Sequence, residues 1–304
     1  MTIKNFVDTC VSELSLYPNN EAKAIAFRVL QDLFSIKSYK YISDPQEIIL
    51  TQEKKESEID LELTQIISRL KKGEPVQYVV GFEHFCSHKF KVGAGVLIPR
   101  PETEELVKLV IEELNRDKRD KVLLDICTGS GCIAWSIFSQ IPYLKVFGCD
   151  ISDLVLDYAA NQPIEIADTI VNGAKPTFFK CDILSSDSLV VIDKNLSLQG
   201  EKKVDVIVSN PPYIANKEKV YIRNNVLDYE PSIALFVEDE EPLKFYNSIG
   251  NLALKLLSEN GKLFFECNEH YCSEVATLLN SKGFSRVKII KDIFTKDRFV
   301  FAQV

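Results

Sequence analysis

The chain reads as an α/β protein: a largely parallel sheet with crossover helices, preceded by a small helical domain. Three observations predict this. Apolar residues recur every three to four positions through the first part of the chain. From residue 121 onward, strand-like and helix-like stretches alternate. A length of 304 residues with 46% hydrophobic and 26% charged content is enough for two packed units of unequal size.

The helical part rests on three stripes: Ile3, Phe6, Val7, Cys10, Val11 and Leu14; then Ala22, Ile25, Ala26, Val29, Leu30 and Leu33; then Ile59, Leu63, Ile66, Ile67 and Leu70. Stripes of this kind face the core of a small bundle. Gly73 and Pro75 break the third helix, so residues 1–75 are expected to form the first domain. Residues 76–98 shift to short β-type pieces with glycines at 81, 93 and 95, expected as a β-hairpin linker. The larger domain then spans 99–304. Its strands are expected at 122–126, 145–149, 177–180, 204–208, 262–266, 286–290 and 298–303, and its helices at 106–114, 131–140, 153–160, 242–258 and 272–282. The last two strands leave no room for a helix between them and must form an antiparallel hairpin. Residues 184–203 show no clear periodicity and are expected as loop.

Composition narrows the function classes. A net charge of −8 disfavours a protein that holds nucleic acid by phosphate neutralisation, and the ten Lys/Arg against twelve Asp/Glu of residues 1–75 leave no basic module there. The sequence holds no apolar run long enough to span a membrane, and residues 1–6 enter an amphipathic pattern directly, so a soluble, unexported, cytoplasmic protein is expected. The eight cysteines form no Cys-x-x-Cys pair, which fits a reducing compartment.

Two loops carry the chemistry. Strand 122–126 runs into Cys127, Thr128, Gly129, Ser130 and Gly131, a Gly-x-Gly-x-x-Ala loop closed by Ala134. In this strand-to-helix context such glycines let backbone approach a ligand closely. Strand 145–149 then delivers Asp150, nineteen residues after Gly131, where a carboxylate can accept from both hydroxyls of a ribose. A nucleoside-containing cofactor is implied, NAD or S-adenosylmethionine alike. The plainer reading is a tight turn and a helix-capping aspartate. Asp182 and Ile183 follow strand 177–180 and could bracket an adenine ring.

The second loop, Asn210, Pro211, Pro212 and Tyr213, follows the apolar strand 204–208. Consecutive prolines end a strand and hold the chain rigid at its carboxyl end, where ligands bind in open α/β sheets. An amide nitrogen is a poor nucleophile because its lone pair is delocalised, so an enzyme acting on it must freeze the amide in one orientation. The side-chain oxygen of Asn210 and the carbonyl of Pro211 can accept the two amide hydrogens and aim the lone pair at a sulfonium methyl. Tyr213 can stack on the planar group. A Pro-Pro turn that merely ends a strand is the structural alternative.

At these residues the chain resembles the peptide chain release factor N(5)-glutamine methyltransferases, over nearly its whole length. The likeness is carried by residues 73–78 (Gly-Glu-Pro-Val-Gln-Tyr), 97–104 (Leu-Ile-Pro-Arg-Pro-Glu-Thr-Glu), 209–214 (Ser-Asn-Pro-Pro-Tyr-Ile) and the Tyr229, Glu230, Pro231 segment, with Asp292, Asp297 and Arg298 late in the chain. The Asn-Pro-Pro-Tyr element is shared with adenine N6 methyltransferases; the 97–104 block narrows the choice. The resemblance implies a helical substrate-recognition domain, a hairpin linker and a Rossmann-like seven-stranded methyltransferase domain. It also implies S-adenosyl-L-methionine as cofactor and, as substrate, the glutamine of a Gly-Gly-Gln loop in class 1 release factors. Cofactor contacts would fall on Cys127 to Gly131, Asp150, Asp182, Ile183 and Asn210, and substrate contacts on Asn210 to Tyr213, with Arg100 and Glu102 at the rim. The family usually has glycine at 127, Glu-Ile-Gly at 266–268 and a glycine-containing turn at 238–241, so loop geometry there is open.

Other constellations weigh less. His84, Cys86 and His88 share one face of an extended strand but lack a fourth ligand, so no metal site is expected. Three rival functions remain, one of them a non-catalytic adaptor that retains the fold, which would have little use for an intact Asn-Pro-Pro-Tyr. A nucleic-acid adenine methyltransferase fits the second loop but not the acidic charge. A nicotinamide-dependent oxidoreductase fits the first loop, but none of the three histidines is placed as a proton donor.

Overall fold

The computed structural model describes residues 1–116, 121–141, 143–165 and 175–304. Two compact units divide them: Met1–Phe82 together with Arg223–Glu230, and Glu83–Ile222 together with Pro231–Val304.

In the first unit, α1 (Ile3–Glu13), α2 (Asn19–Phe34), the single turn α3 (Lys40–Ser43) and α4 (Glu56–Lys71) precede α5 (Val76–Val80). The anticipated stripes converge on one core of Ile3, Phe6, Leu30, Leu63 and Leu70, with Val79 and Val80. Residues 76–80, expected within the hairpin linker, are helical instead. Arg69 explains this: its guanidinium meets Glu74 at 2.5 Å and donates to the carbonyls of Tyr78 at 3.0 Å and Val79 at 3.3 Å, which folds the chain back after Gly73. The later helix α10 (Asn224–Tyr229) joins this unit through an Arg223–Glu21 ion pair at 2.6 Å and a Tyr229 hydroxyl donating to the Lys72 carbonyl at 3.0 Å.

The second unit opens with the hairpin β1 (Phe82–Phe85) and β2 (His88–Lys91), then α6 (Pro101–Leu114). Proline at the first helical position costs no hydrogen bond, and Glu102 and Glu104 in the first turn suit the positive end of the helix dipole. The helix therefore starts five residues before its expected first position, Leu106. Next come β3 (Lys121–Ile126), α7 (Cys132–Phe138), β4 (Leu144–Asp150), α8 (Asp153–Ala160), β5 (Thr177–Lys180), α9 (Ser188–Leu198) and β6 (Val204–Ser209). The short strands β7 (Ile214–Ala215) and β8 (Phe236–Val237) flank a 3-10 turn (Asn216–Tyr221) and α11 (Ser232–Leu235). Finally α12 (Lys244–Leu256), β9 (Leu257–Glu266), α13 (Cys272–Ser281), β10 (Ser285–Lys291) and β11 (Asp297–Gln303) complete the unit.

Seven strands form one mixed sheet in the order β10-β11-β9-β6-β3-β4-β5. The five strands from β9 to β5 run parallel, and β11 is antiparallel to both its neighbours, as the short connection requires. Every residue of β3 is buried, with Val122, Leu124 and Ile126 packing on one face and Leu123 on the other. One core joins the sheet to α9, α12 and α13, the other to α6 and α7. Residues 188–198, expected as loop, are helical, with Ser188, Ile192 and Leu196 buried four apart. No described helix is long and apolar enough to cross a membrane.

Candidate active site

Strand order reverses at β3, whose neighbours β4 and β6 lead away in opposite directions, so the loops after β3 and β6 open side by side. The Ser209 hydroxyl ties them by donating to the Ile126 carbonyl at 2.7 Å.

The first loop is built backbone against carboxylate. Cys127 turns the chain with φ 59°, in the left-handed region that favours glycine. Asp125, fully buried beneath the loop, accepts from the Thr128 hydroxyl at 2.6 Å and the Ala134 amide at 3.2 Å through one oxygen. Its other oxygen has no partner among the described residues. Burial pushes this carboxyl up to about 7, even though both hydrogen bonds favour its ionised form. Asp150 accepts from the Gly129 amide at 3.1 Å and the Ser152 amide at 3.1 Å, and burial raises its pKa as well. Each of its oxygens keeps a lone pair for a further donor.

A cavity of about 510 Å³ lies against this loop. Its walls include Cys127, Gly129, Asp150, Asp182, Ile183, Asn210 and Pro212. These come from the ends of β3, β4, β5 and β6, so the two loops read from the sequence face one space. Apolar side chains of Ile126, Val155 and Ile183 offer a slot for a flat ring. The residues fit S-adenosylmethionine. Asp150 can take a ribose, Asp182 and Ile183 can flank an adenine, and the Asp150 carboxyl on the cavity wall favours a ligand whose other end is cationic. A diphosphate laid over the same loop would face the Asp150 carboxyl.

Three expected cofactor residues are placed elsewhere. Thr128 and Ser130 are almost fully buried, and neither they nor Gly131 line the cavity. Thr128 donates its amide to the Cys149 carbonyl at 3.0 Å, the Ser130 carbonyl accepts from Gln162 at 3.0 Å, and Gly131 caps α7 with φ 78°. They shape the loop from behind. The motif defines a backbone path, and which of its atoms face the ligand depends on the strands beneath it.

The second loop is anchored by a chain of side-chain hydrogen bonds. The Asn210 side-chain nitrogen lies 3.2 Å from the Thr103 hydroxyl, which lies 2.7 Å from one oxygen of Glu266. The Tyr213 hydroxyl lies 3.2 Å from the other oxygen. Thr103 and Glu266 are almost completely buried. Burial pushes Glu266 up, while Thr103, Arg298 and Tyr213 favour its charged form and Glu102 opposes it. The tyrosine is driven up by burial and by the Glu266 charge.

Tyr213, expected to stack on the acceptor, is therefore turned to Glu266, and neither it nor Pro211 lines the cavity. Arg100 and Glu102, expected at the rim, are also off the cavity wall; their charges act on Tyr213 and Glu266 respectively. The sequence reading missed Thr103 and Glu266 as partners of this loop. A signal existed: Thr103 shares the buried stripe of Leu106, Val107 and Val110, and a glutamate ending the apolar run Leu263, Phe264, Phe265 must find partners when buried. Also missed was the wall made by Pro231, Ile233, Ala234 and Phe236.

The departures from glycine are accommodated. Asn268 donates to Glu218 at 3.1 Å, and Glu218 accepts the Ala215 amide at 3.0 Å, which ties β9 to the stretch after Tyr213. In the acidic run, Glu238 pairs with Lys244, and Asp239 accepts the Lys217 amide at 2.9 Å.

No family model matches the chain. The release factor glutamine methyltransferase of Bacteroides thetaiotaomicron is 42% identical over 287 residues, covering 94% of this chain and 94% of its own length. The protein of the same name from Flavobacterium psychrophilum is 36% identical over 304 residues, covering 99% of this chain and 98% of its own. The crystal structure of a release factor-specific protein-(glutamine-N5) methyltransferase from Alicyclobacillus acidocaldarius aligns with 70% of this chain and 98% of that one, at 25% identity and a TM-score of 0.42. That overlap is loose, and the family rests on the sequence relatives.

Proposed function

The chain belongs to the release factor glutamine methyltransferase family, and on that premise we propose how its cavity serves the reaction. The enzyme uses S-adenosylmethionine to methylate a glutamine of a release factor. In our reading the acceptor is the side-chain amide nitrogen of the glutamine in a Gly-Gly-Gln loop of a class 1 factor, in the cytoplasm and without direct nucleic-acid binding.

The observation that carries the reading is that Cys127, Asp150, Asn210 and Pro212 line one cavity. Asp150 holds the ribose, and Asp182 with Ile183 flanks the adenine. When bound, S-adenosylmethionine supplies an electrophilic methyl group, whose transfer to nitrogen leaves the carbon–sulfur electron pair on sulfur and releases the nitrogen's proton to water. The protein's work is orientation. Asn210, on the cavity wall, accepts one amide hydrogen on its side-chain oxygen, and the carbonyl of Pro211, held between the wall residues Asn210 and Pro212, accepts the other, which points the lone pair along the line of transfer. No strong base is required, because the nitrogen turns acidic as its new bond forms. The helical unit supplies contacts remote from the reacting atom, whose binding energy orders a flexible glutamine.

Replacing Asn210 with Ala tests this. Turnover at saturating cofactor should fall about a hundredfold or more. Turnover within a few-fold of the parent would remove orientation by Asn210 as the source of catalysis.

A further inference from the structure

The side chain of Asn210 can serve as an acceptor only if it sits one way round. A reversed amide would offer its nitrogen to the substrate's own N–H groups, donor against donor. Which way it sits is decided by hydrogen count in the buried chain behind it. Glu266, as a carboxylate, can only accept. Both of its oxygens are engaged, one by Thr103 at 2.7 Å and one by Tyr213 at 3.2 Å. A threonine hydroxyl has one hydrogen, and here it goes to Glu266. The Thr103 oxygen, 3.2 Å from Asn210, is left with lone pairs and can only receive. The Asn210 nitrogen must therefore face Thr103, and its oxygen is left for the acceptor amide.

We propose that Thr103 and Glu266 are positioning residues for methyl transfer, a one-way hydrogen-bond relay that fixes the Asn210 amide with its oxygen toward the substrate. This rests on the acceptor reading given above. The same carboxylate also holds the far end of the loop through Tyr213, with two prolines between. The glutamate is held in turn: its backbone carbonyl accepts from the buried Tyr246 hydroxyl at 3.2 Å, and its strand pairs with β11 at Phe299. Thr103 sits in the first turn of α6 and Glu266 at the end of β9, so helix and sheet are joined through one buried pair.

The relay has a direction that protonation can reverse. Among the described residues, the titratable and charged groups that face Glu266 include Tyr213, Arg298, Glu102 and the neighbouring Cys267 thiol; the Thr103 hydrogen bond, the Arg298 charge and the Tyr213 hydrogen bond favour the carboxylate against burial. A Glu266 that takes its proton on the oxygen facing Thr103 becomes a donor there, frees Thr103 to turn its hydrogen toward Asn210, and favours the reversed amide. Turnover should therefore decline toward acid as Glu266 takes up a proton.

The test uses the full chain with a class 1 release factor, saturating S-adenosylmethionine, and the variants Thr103→Val, Thr103→Ser and Glu266→Gln. Val keeps the shape and removes the hydroxyl, so kcat should drop about tenfold or more while KM for the factor and cofactor Kd stay within about threefold. Ser restores the hydroxyl and should recover most of the rate. Gln keeps one acceptor oxygen and does not titrate, so it should abolish the acid limb. A Val variant with parental kcat, a folded Ser variant as impaired as Val, or a Gln variant that keeps the parent's acid limb would overturn the relay. If Val does not fold, Thr103→Ala against Thr103→Ser gives the same comparison. A parent chain that methylates no release factor defeats the acceptor reading and the relay together; an active parent with an unaffected Val variant defeats the relay alone.

Discussion

Cys127 holds a backbone conformation that most side chains resist, at the point where the chain leaves β3 for the cofactor loop. A left-handed φ of this kind favours glycine at the position. Glycine at 127 should leave stability within about 0.5 kcal/mol of the parent or raise it, whereas valine should cost about 1–2 kcal/mol more than glycine, because a β-branched residue is the worst fit to positive φ. Urea unfolding of the two variants decides between φ and packing, since a packing-limited site would rank them the other way. Asp150 is the residue whose place beside the loop was most legible in the sequence, because strand, loop, helix and acid fall at one spacing. Its replacement by Ala should weaken S-adenosylmethionine by about 2–4 kcal/mol in calorimetry; unchanged affinity would move the ribose elsewhere. Thr103 and Glu266 were not legible as a pair. They meet across 163 positions of sequence, and no local pattern encodes such a contact.

Among elements, the parallel strands were the easiest to read, since strands buried on both faces appear as short continuous apolar runs. Helix α9 was the hardest. Val190 and Leu198 are 68% and 72% exposed, and these outward apolar residues blur the stripe of Ile192 and Leu196 on its buried side. The run Leu189 to Ile192 also carries three β-branched residues, a strand-like composition that the packing of the core overrides. If the helix docks as described, Leu196→Ala should cost about 2–5 kcal/mol and Leu198→Ala under about 0.5 kcal/mol. Equal small losses in denaturant unfolding would mean that the segment is a loop after all.

At the level of the whole molecule, two acids at the cofactor loop, the buried Asp125 and the half-buried Asp150, link stability to pH. The folded-state pKa of Asp125 is raised from 3.8 to about 7, and burial raises Asp150 in the same direction. A raised acid means the folded state binds the extra proton, so this contribution is present at low pH and is lost as pH climbs from about 4 to about 7. Replacing Asp125 with Asn should therefore flatten the change in Tm between pH 5 and pH 7; an unaltered slope would mean that the carboxyl is already ionised at pH 5. The helical unit was legible from its stripes, but its inclusion of Arg223–Glu230 was not, because that segment is distant in sequence and its ties include an ion pair to Glu21 and a hydroxyl on the Lys72 carbonyl. Removing residues 1–75 would deprive Arg223 and Tyr229 of these partners, so substitutions on the helical surface are a cleaner probe of remote substrate contacts than deletion. The most direct measurement of the central claim is peptide mapping by mass spectrometry of a class 1 release factor after incubation with this protein and S-adenosylmethionine. The account predicts one added methyl group, on the side-chain amide of the Gly-Gly-Gln glutamine. Methyl at another residue, or in nucleic acid and not in the factor, would contradict it.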